Sequence, residues 1–349
     1  MSMGQWLGVL SLVASLYILW QVRQLVLLIF TAIVLATVIN ALVRQLQQFQ
    51  LKRGWAILAS LGLILSLLIG VFWLIVPRFI EQFEDLVNLL PIGLIQLQKA
   101  LTWLEDQILG PYFPSLPDLN ELIQNLQPLG TTLMRRTIAL LSNSVSAFLE
   151  TLLVLVLTLM FLLNPQPYRQ VLIRLFPAFY RPRVNAILDR CASALEHWAV
   201  GALIEMVFVG VLSGLGLWLL QVPLALAHAV LAGLLNFIPN IGPTLSVFIP
   251  MAIALLDAPW KAVAVLILYI AIQNLESYWL TPTVMAQQVA LLPAITLTAQ
   301  IFFTTIFGAL GLLMALPLAV VAKTWIEELL FKDLLDRWQH PPSRRVSSE

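Results

Sequence analysis

Apolar residues fall in long blocks along this chain, and short stretches where charge gathers separate them. Five blocks are regular: Gly4 to Trp20, Leu25 to Val43, Trp55 to Val76, Ala147 to Leu163 and Val200 to Leu220. Each approaches or exceeds the roughly 18 residues that a helix needs to cross about 30 Å of hydrocarbon. Three later blocks, Leu224 to Leu256, Ala262 to Leu280 and Ala294 to Trp325, are less regular: all carry amide side chains, and the first and last also carry Pro and Gly. No β-rich segment competes. The pattern predicts an all-α, polytopic integral membrane protein of about 6–8 transmembrane helices. Two Pro/Gly-broken helical hairpins belong to it, either re-entrant or fully crossing.

Residues 77–146 differ in kind. They hold scattered Glu and Asp, turn signals at LPIG, GPYFPSLPD and QPLG, and an amphipathic spacing at Leu119, Leu122, Ile123 and Leu126 that Ser115 or Asp118 can cap. This extracytoplasmic segment separates an N-terminal three-span unit, residues 1–76, from a C-terminal transport unit, residues 147–335. Residues 336–349 are a charged tail without apolar period. The first 20 residues lack a basic start and a cleavage site, which reads as a retained span. Orientation follows from Lys and Arg, which are kept on the cytoplasmic side near span ends. Arg44, Lys52 and Arg53 fill one loop, and Arg169, Arg174, Arg181, Arg183 and Arg190 another. Both are expected in the cytoplasm, with residues 77–146 outside and both termini inside. Within residues 165–197, Val184, Ile187, Leu188, Cys191, Leu195 and Trp198 make one apolar stripe with Arg183 and Arg190 off it, as in helices lying in the headgroup layer. The same segment also fits a basic elbow that only anchors topology, or one coupled to a moving element.

Composition agrees with a lipid environment. Of 349 residues 60% are hydrophobic and 11% charged, against about 25% charged in soluble domains. A net charge of +1, with no basic run interleaved with aromatics, gives no sign of a nucleic-acid partner. The single cysteine, Cys191, rules out a disulfide framework or a Cys-based metal site within one chain. No cofactor motif is present.

The broken blocks carry the candidate chemistry. As one helix, Leu224 to Leu255 would be about 48 Å long, too long for an upright span. The interruption is NFIPNIGP. There Pro239 is expected to release the carbonyl of Leu235, Pro243 that of Pro239, and Gly242 to permit a positive φ. Bare backbone in hydrocarbon is tolerated only inside protein or beside a wet cavity, so the break predicts a cavity lined by Asn236 and Asn240. The last block repeats the device: Gly308 and Gly311 at its midpoint, Pro317 beyond them, and Thr296, Thr298, Gln300, Thr304 and Thr305 in its first half. Paired interrupted helices of this kind mark substrate sites in secondary transporters. Between the two breaks, Tyr269, Gln273 and Glu276 share one helical face, with Asn274 and Tyr278 on a neighbouring one. A carboxylate inside a span costs on the order of 3 kcal/mol on insertion scales and marks a functional position. Glu276 can carry a proton or cation, or accept a hydrogen bond from a solute hydroxyl. Near the interface it would merely be hydrated. Glu205 is the second such carboxylate. Glu150, Asp257 and Lys261 read as boundary charges, and His228 as a structural imidazole.

NFIPNIGPTLSVFIP, then IQNLESYWLTPTVM, then FGALGLLMALPLAVVAK, in that order and spacing, resemble the autoinducer-2 exporter family, the PerM-like permeases. HWAVGALI leading into GLGLWLLQVPLALAHAVLAGLL fits as well. The resemblance covers essentially the whole chain and is strongest from Trp198 to Lys323. It places the family's amide–glutamate motif on Gln273, Asn274 and Glu276, and its I-P-x-x-G-P on Ile238, Pro239, Gly242 and Pro243. One departure stands out: Met285 is followed by Ala286 and Gln287 where the family often has a Gly-Arg pair, which removes a cation. The resemblance implies a homo-oligomer, a pentamer in particular, in the bacterial inner membrane, exporting a small polar signal. Some relatives are instead described as sodium/proton antiporters.

The leading reading is therefore a secondary transporter moving a small polar solute by alternating access. Sodium/proton exchange through Glu276 and Glu205 is the alternative. A membrane scaffold without transport is the third class. No P-loop, H-E-x-x-H or nucleophile–base pair is present, so neither direct ATP use nor enzymatic activity is expected.

Overall fold

A computed structural model of the chain describes residues 6, 14–15, 17–67, 69–70, 72–73, 77, 144–285 and 292–335. The expected first span and amphipathic segment 77–146, the tail 336–349 and Ala286–Gln287 lie wholly or largely outside the described residues. Among those described there is no strand. The helices are α1 (Arg23–Gln48), α2 (Arg53–Leu67), α3 (Ser144–Leu163), α4 (Pro165–Arg174), α5 (Arg181–Leu219), α6 (Ala225–Leu235), α7 (Ile241–Asp257), α8 (Pro259–Leu275) and α9 (Pro293–Ile326). α8 continues through a π-helical turn, Glu276–Leu280, into Thr281–Met285, and α9 through another, Glu327–Leu335. Among the described residues, four helical stretches are long and apolar enough to cross a membrane, or five when the bent pair α3 and α4 counts as one. This is an all-α polytopic membrane protein.

The chain divides into two units, one formed by residues 1–61, 148–199 and 287–349, the other by residues 62–147 and 200–286. In the first, α1 packs on α9, and Leu28 and Ala32 of α1 meet Val154 of α3, with Leu157, Phe161 and Leu310 around them. The Thr158 hydroxyl donates to its own helix at Val154 and approaches the Ala32 carbonyl at 3.5 Å. Charged residues fasten the helix ends. Arg44 pairs with Glu196, Arg53 donates to the Leu162 carbonyl at 3.1 Å, and Arg169 binds Asn185 and Asp189. Glu328, 4% exposed, gathers Arg183, Arg190 and Lys332, while Asp333 accepts from Tyr180 and Arg183.

The structure redraws the segment that the sequence assigned to the headgroup layer. Arg181 to Leu219 is one continuous helix, about 58 Å long, because no breaker separates its amphipathic start from its apolar end. Its stripe does not face lipid: Val184, Ile187, Cys191, Leu195 and Trp198 are all buried, and the Cys191 thiol lies against Thr324 of α9. Periodicity reports that one face is covered, and here the cover is protein.

In the second unit, the end of α5 packs closely on α6. A β-carbon on Gly233 would stand 2.6 Å from the Met206 carbonyl oxygen, and one on Gly214 2.9 Å from the Ala229 methyl. Small residues let the two backbones approach, as is common between membrane helices. Val209, Leu217, Ala232, Ala254, Val265 and Ile272 join α5 through α8 in one apolar core.

Candidate polar site

The interruption at NFIPNIGP is real: α6 stops at Leu235 and α7 starts at Ile241. α6, about 16 Å long, is half a membrane thickness. The details differ from expectation. The Leu235 carbonyl accepts from the Ile238 N–H at 2.9 Å, and the Pro239 carbonyl from the Ile241 N–H at 2.8 Å. The carbonyls freed by the prolines thus find partners in tight turns within the break itself, since a released acceptor is captured by the nearest free N–H. Gly242 does not take a positive φ; Asn240 does, at 67°. Glycine is needed at 242 because a β-carbon there would collide with the Leu235 carbonyl group, where the start of α7 crosses the end of α6.

What the break does expose to chemistry is a side chain. Asn236, 4% exposed, donates from Nδ2 to Glu276 Oε1 at 2.7 Å, and its Oδ1 is buried without a partner. Gln273 donates from Nε2 to Glu276 Oε2 at 3.3 Å and reaches Ser277 Oγ at the same distance. Glu276, 7% exposed, is not a hydrated boundary residue despite its exposed neighbours Tyr278 and Trp279. It opens the π-helical turn that closes with the Thr281 N–H on the Glu276 carbonyl. Such turns recur at functional sites. The same turn carries the Thr281 hydroxyl to Glu205 Oε1 at 2.8 Å. Glu205 is also 7% exposed and lies near Glu276.

The structure therefore brings Asn236, Gln273, Glu276 and Glu205 together in one unit. It does not bring Asn240 or Asn274, both exposed: the Asn240 carbonyl accepts from Thr244, and the Asn274 side chain donates to its own helix at Ile270. Pro239, Gly242 and Pro243 shape the turn rather than line the cluster. Thr281 escaped the sequence reading, because five residues from Glu276 on an α-helix is about 140° away; only the π turn changes that phase. Tyr269, on the predicted face, is buried in the apolar core and outside the cluster.

The second broken block lies in the other unit. Its one non-helical residue is Gly308, at φ 67° and ψ −146°, while Pro317 stays buried within the helix. A β-carbon on Gly311 would strike the Phe303 carbonyl, so the kink folds the two halves close. Gln300 and Thr296 are buried on the first half. Among the described residues no cluster of His, Cys, Asp and Glu could hold a metal ion.

Membrane-length helices, a half-length helix ending at a break and a carboxylate held by amides out of water define a multi-pass membrane protein with an internal polar site. Residues 9–331 match the family model described as AI-2E family transporter. The chain belongs to that family and is a membrane transporter. Two relatives bear the name "Putative transport protein": YhhT of Escherichia coli (strain K12), 26% identical over 306 residues covering 87% of this chain and 83% of the relative, and YueF of Bacillus subtilis (strain 168), 23% identical over 84% and 80%. "AI-2 transport protein TqsA" of Escherichia coli (strain K12) is 23% identical over 85% of this chain and 84% of its own length.

Proposed function

We propose that this chain is a secondary transporter that exports a small, neutral, hydroxyl-bearing solute by alternating access, with Asn236, Gln273 and Glu276 as its recognition cluster. The observation that carries the reading is the unspent acceptor capacity of that cluster. Asn236 Oδ1 is buried and unpaired, and the Glu276 carboxylate, with about four lone-pair positions, receives only two donors among the described residues. A buried acceptor left unmatched costs about 1–3 kcal/mol, and a ligand rich in O–H donors recovers it. Organic anions are disfavoured, because the Glu205 and Glu276 carboxyls stand there without a cation beside them among the described residues. A furanosyl polyol of the autoinducer-2 type has the right chemistry, in line with the name of the relative TqsA. We place the protein in the bacterial inner membrane as a homo-oligomer, on the strength of the family resemblance.

Proteoliposomes loaded with a furanosyl diol test this. Wild-type protein is expected to release it faster than protein-free vesicles, and Glu276→Gln to slow release while protein yield and oligomer size stay unchanged. Equal flux in the presence and absence of protein refutes the reading.

Proton or sodium exchange through the Glu205 and Glu276 pair is the second reading, favoured by the proximity of two buried carboxyls. It predicts that Thr281→Val shifts the pH profile of a sodium-driven proton flux while Thr281→Ser does not. A flux absent at every pH discards it.

A further inference from the structure

The elbow after α3 presents an apolar face that the protein leaves uncovered. α3 and α4 meet at 93° around Asn164, where Pro165 cannot continue the preceding helix. If α3 stands upright in the bilayer, α4 lies in the plane of its surface. Tyr168, Val171, Leu172 and Leu175 follow the i, i+3, i+4, i+7 spacing on one side of α4 and are all exposed; Leu175 is 77% and Phe179, in the turn beyond, 86% exposed. No residue of α4 is buried. The elbow is nonetheless held firmly. Tyr168 packs edge-on against Phe161 at 4.8 Å, Phe176 stacks on Trp325, and Arg169 on another flank is tied to Asn185 and Asp189 of α5. The uncovered face is therefore fixed in orientation.

Charge identifies what covers it. From Asn164 to Asn185 the sequence has Arg169, Arg174, Arg181 and Arg183 and no Asp or Glu. Arg169 is neutralised by Asp189, and Arg183 by Glu328 and Asp333. Arg174 and Arg181 are exposed with no acidic partner among the described residues, and the Arg181 Nε donates only to the Phe176 carbonyl. An in-plane amphipathic helix with unpaired arginines at its flank, one residue from a membrane span, matches an anionic lipid surface. We infer that the elbow Pro165–Tyr180 is an anionic-lipid-binding face. Val171, Leu175 and Phe179 enter the acyl boundary, and the Arg174 and Arg181 guanidinium groups bind lipid phosphates, which they suit by bidentate hydrogen bonding. The inference needs only the membrane setting and stands apart from the identity of the solute.

The test places a nitroxide at Leu175→Cys, Phe179→Cys or Gln170→Cys of the full chain, in a Cys191→Ala background. The samples are nanodiscs of phosphatidylcholine alone or with phosphatidylglycerol. Collision with oxygen relative to a water-soluble nickel chelate is expected to be several-fold higher at 175 and 179 than at 170. Adding phosphatidylglycerol is expected to raise that ratio, and Arg174→Gln with Arg181→Gln to abolish the rise. Nickel access at 175 equal to that at 170 overturns the inference, as does dipolar broadening from a second copy at 175. A phosphatidylglycerol effect that persists without both arginines overturns the assignment of the headgroup site. Gel filtration of each variant at the wild-type position shows that folding is not the cause.

Discussion

Replacing Gly242 by Ala perturbs the break by a single methyl group. That methyl would lie inside contact distance of the Leu235 carbonyl oxygen and carbon and 3.1 Å from the Asn236 nitrogen. The obstacles are backbone atoms at the end of α6, so no rotamer change relieves the clash; α7 must move off α6. Moving it strains the bonds from the Ile238 N–H to the Leu235 carbonyl and from the Gly242 N–H to the Ile238 carbonyl, each worth about 1 kcal/mol net. Overpacking adds about 2 kcal/mol. The sum is about 4 kcal/mol, a large share of a stability on the order of 5–15 kcal/mol. At about 2–4 °C per kcal/mol for a domain of this size, the thermal midpoint should fall by roughly 10 °C. Because Asn236 sits on the displaced turn, its bond to Glu276 should open and solute flux should fall with it. Fluorescence-detected gel filtration after heating, paired with flux in proteoliposomes, reads both effects. Gly62→Ala is the control, since its methyl meets nothing within 4 Å. A Gly242→Ala protein that melts with wild type and transports normally would refute the crossing of α7 over α6.

Asn236→Ala should destabilise by about 1–3 kcal/mol, since it removes the 2.7 Å donor and leaves the buried Glu276 carboxyl underserved; melting of the purified protein checks this, and an unchanged midpoint contradicts it. Gly308→Ala meets open space, so only the positive φ opposes it, at about 1–3 kcal/mol. Hydrogen exchange confined to the kink of α9 is the expected signature. Glu328→Gln removes the anion shared by Arg183, Arg190 and Lys332, whose partial exposure limits the loss to about 1–2 kcal/mol. It should speed hydrogen exchange in Glu327–Leu335 and leave α6 and α7 unaffected.

Much of the site was legible and some was not, for separable reasons. Gln273 and Glu276 were placed on one face by helical spacing alone, and Asn236 was marked by being an amide in an apolar block. Asn240 and Asn274 bore the same mark and proved exposed, because composition cannot say which way a turn points. The prolines correctly announced a break but not the fate of the carbonyls they release, which depends on which N–H comes near once the chain has turned. Burial of the Val184–Trp198 stripe was a matter of what lies opposite, and periodicity is silent on that.

By itself the sequence determined that the chain must live in lipid and be helical. Hydrocarbon admits only backbones that satisfy themselves within a segment, and the lengths of the apolar blocks are local quantities. It also marked where the chain can break, at NFIPNIGP and at Gly308, since Pro and Gly act on their own few neighbours, though Pro317 stays within its helix. Only the tertiary structure decided that Asn236 reaches Glu276 across 40 residues of chain, that Thr281 serves Glu205, and that Gly242 is needed for a close crossing and not for its φ. Those are distances between segments, and no local preference specifies them.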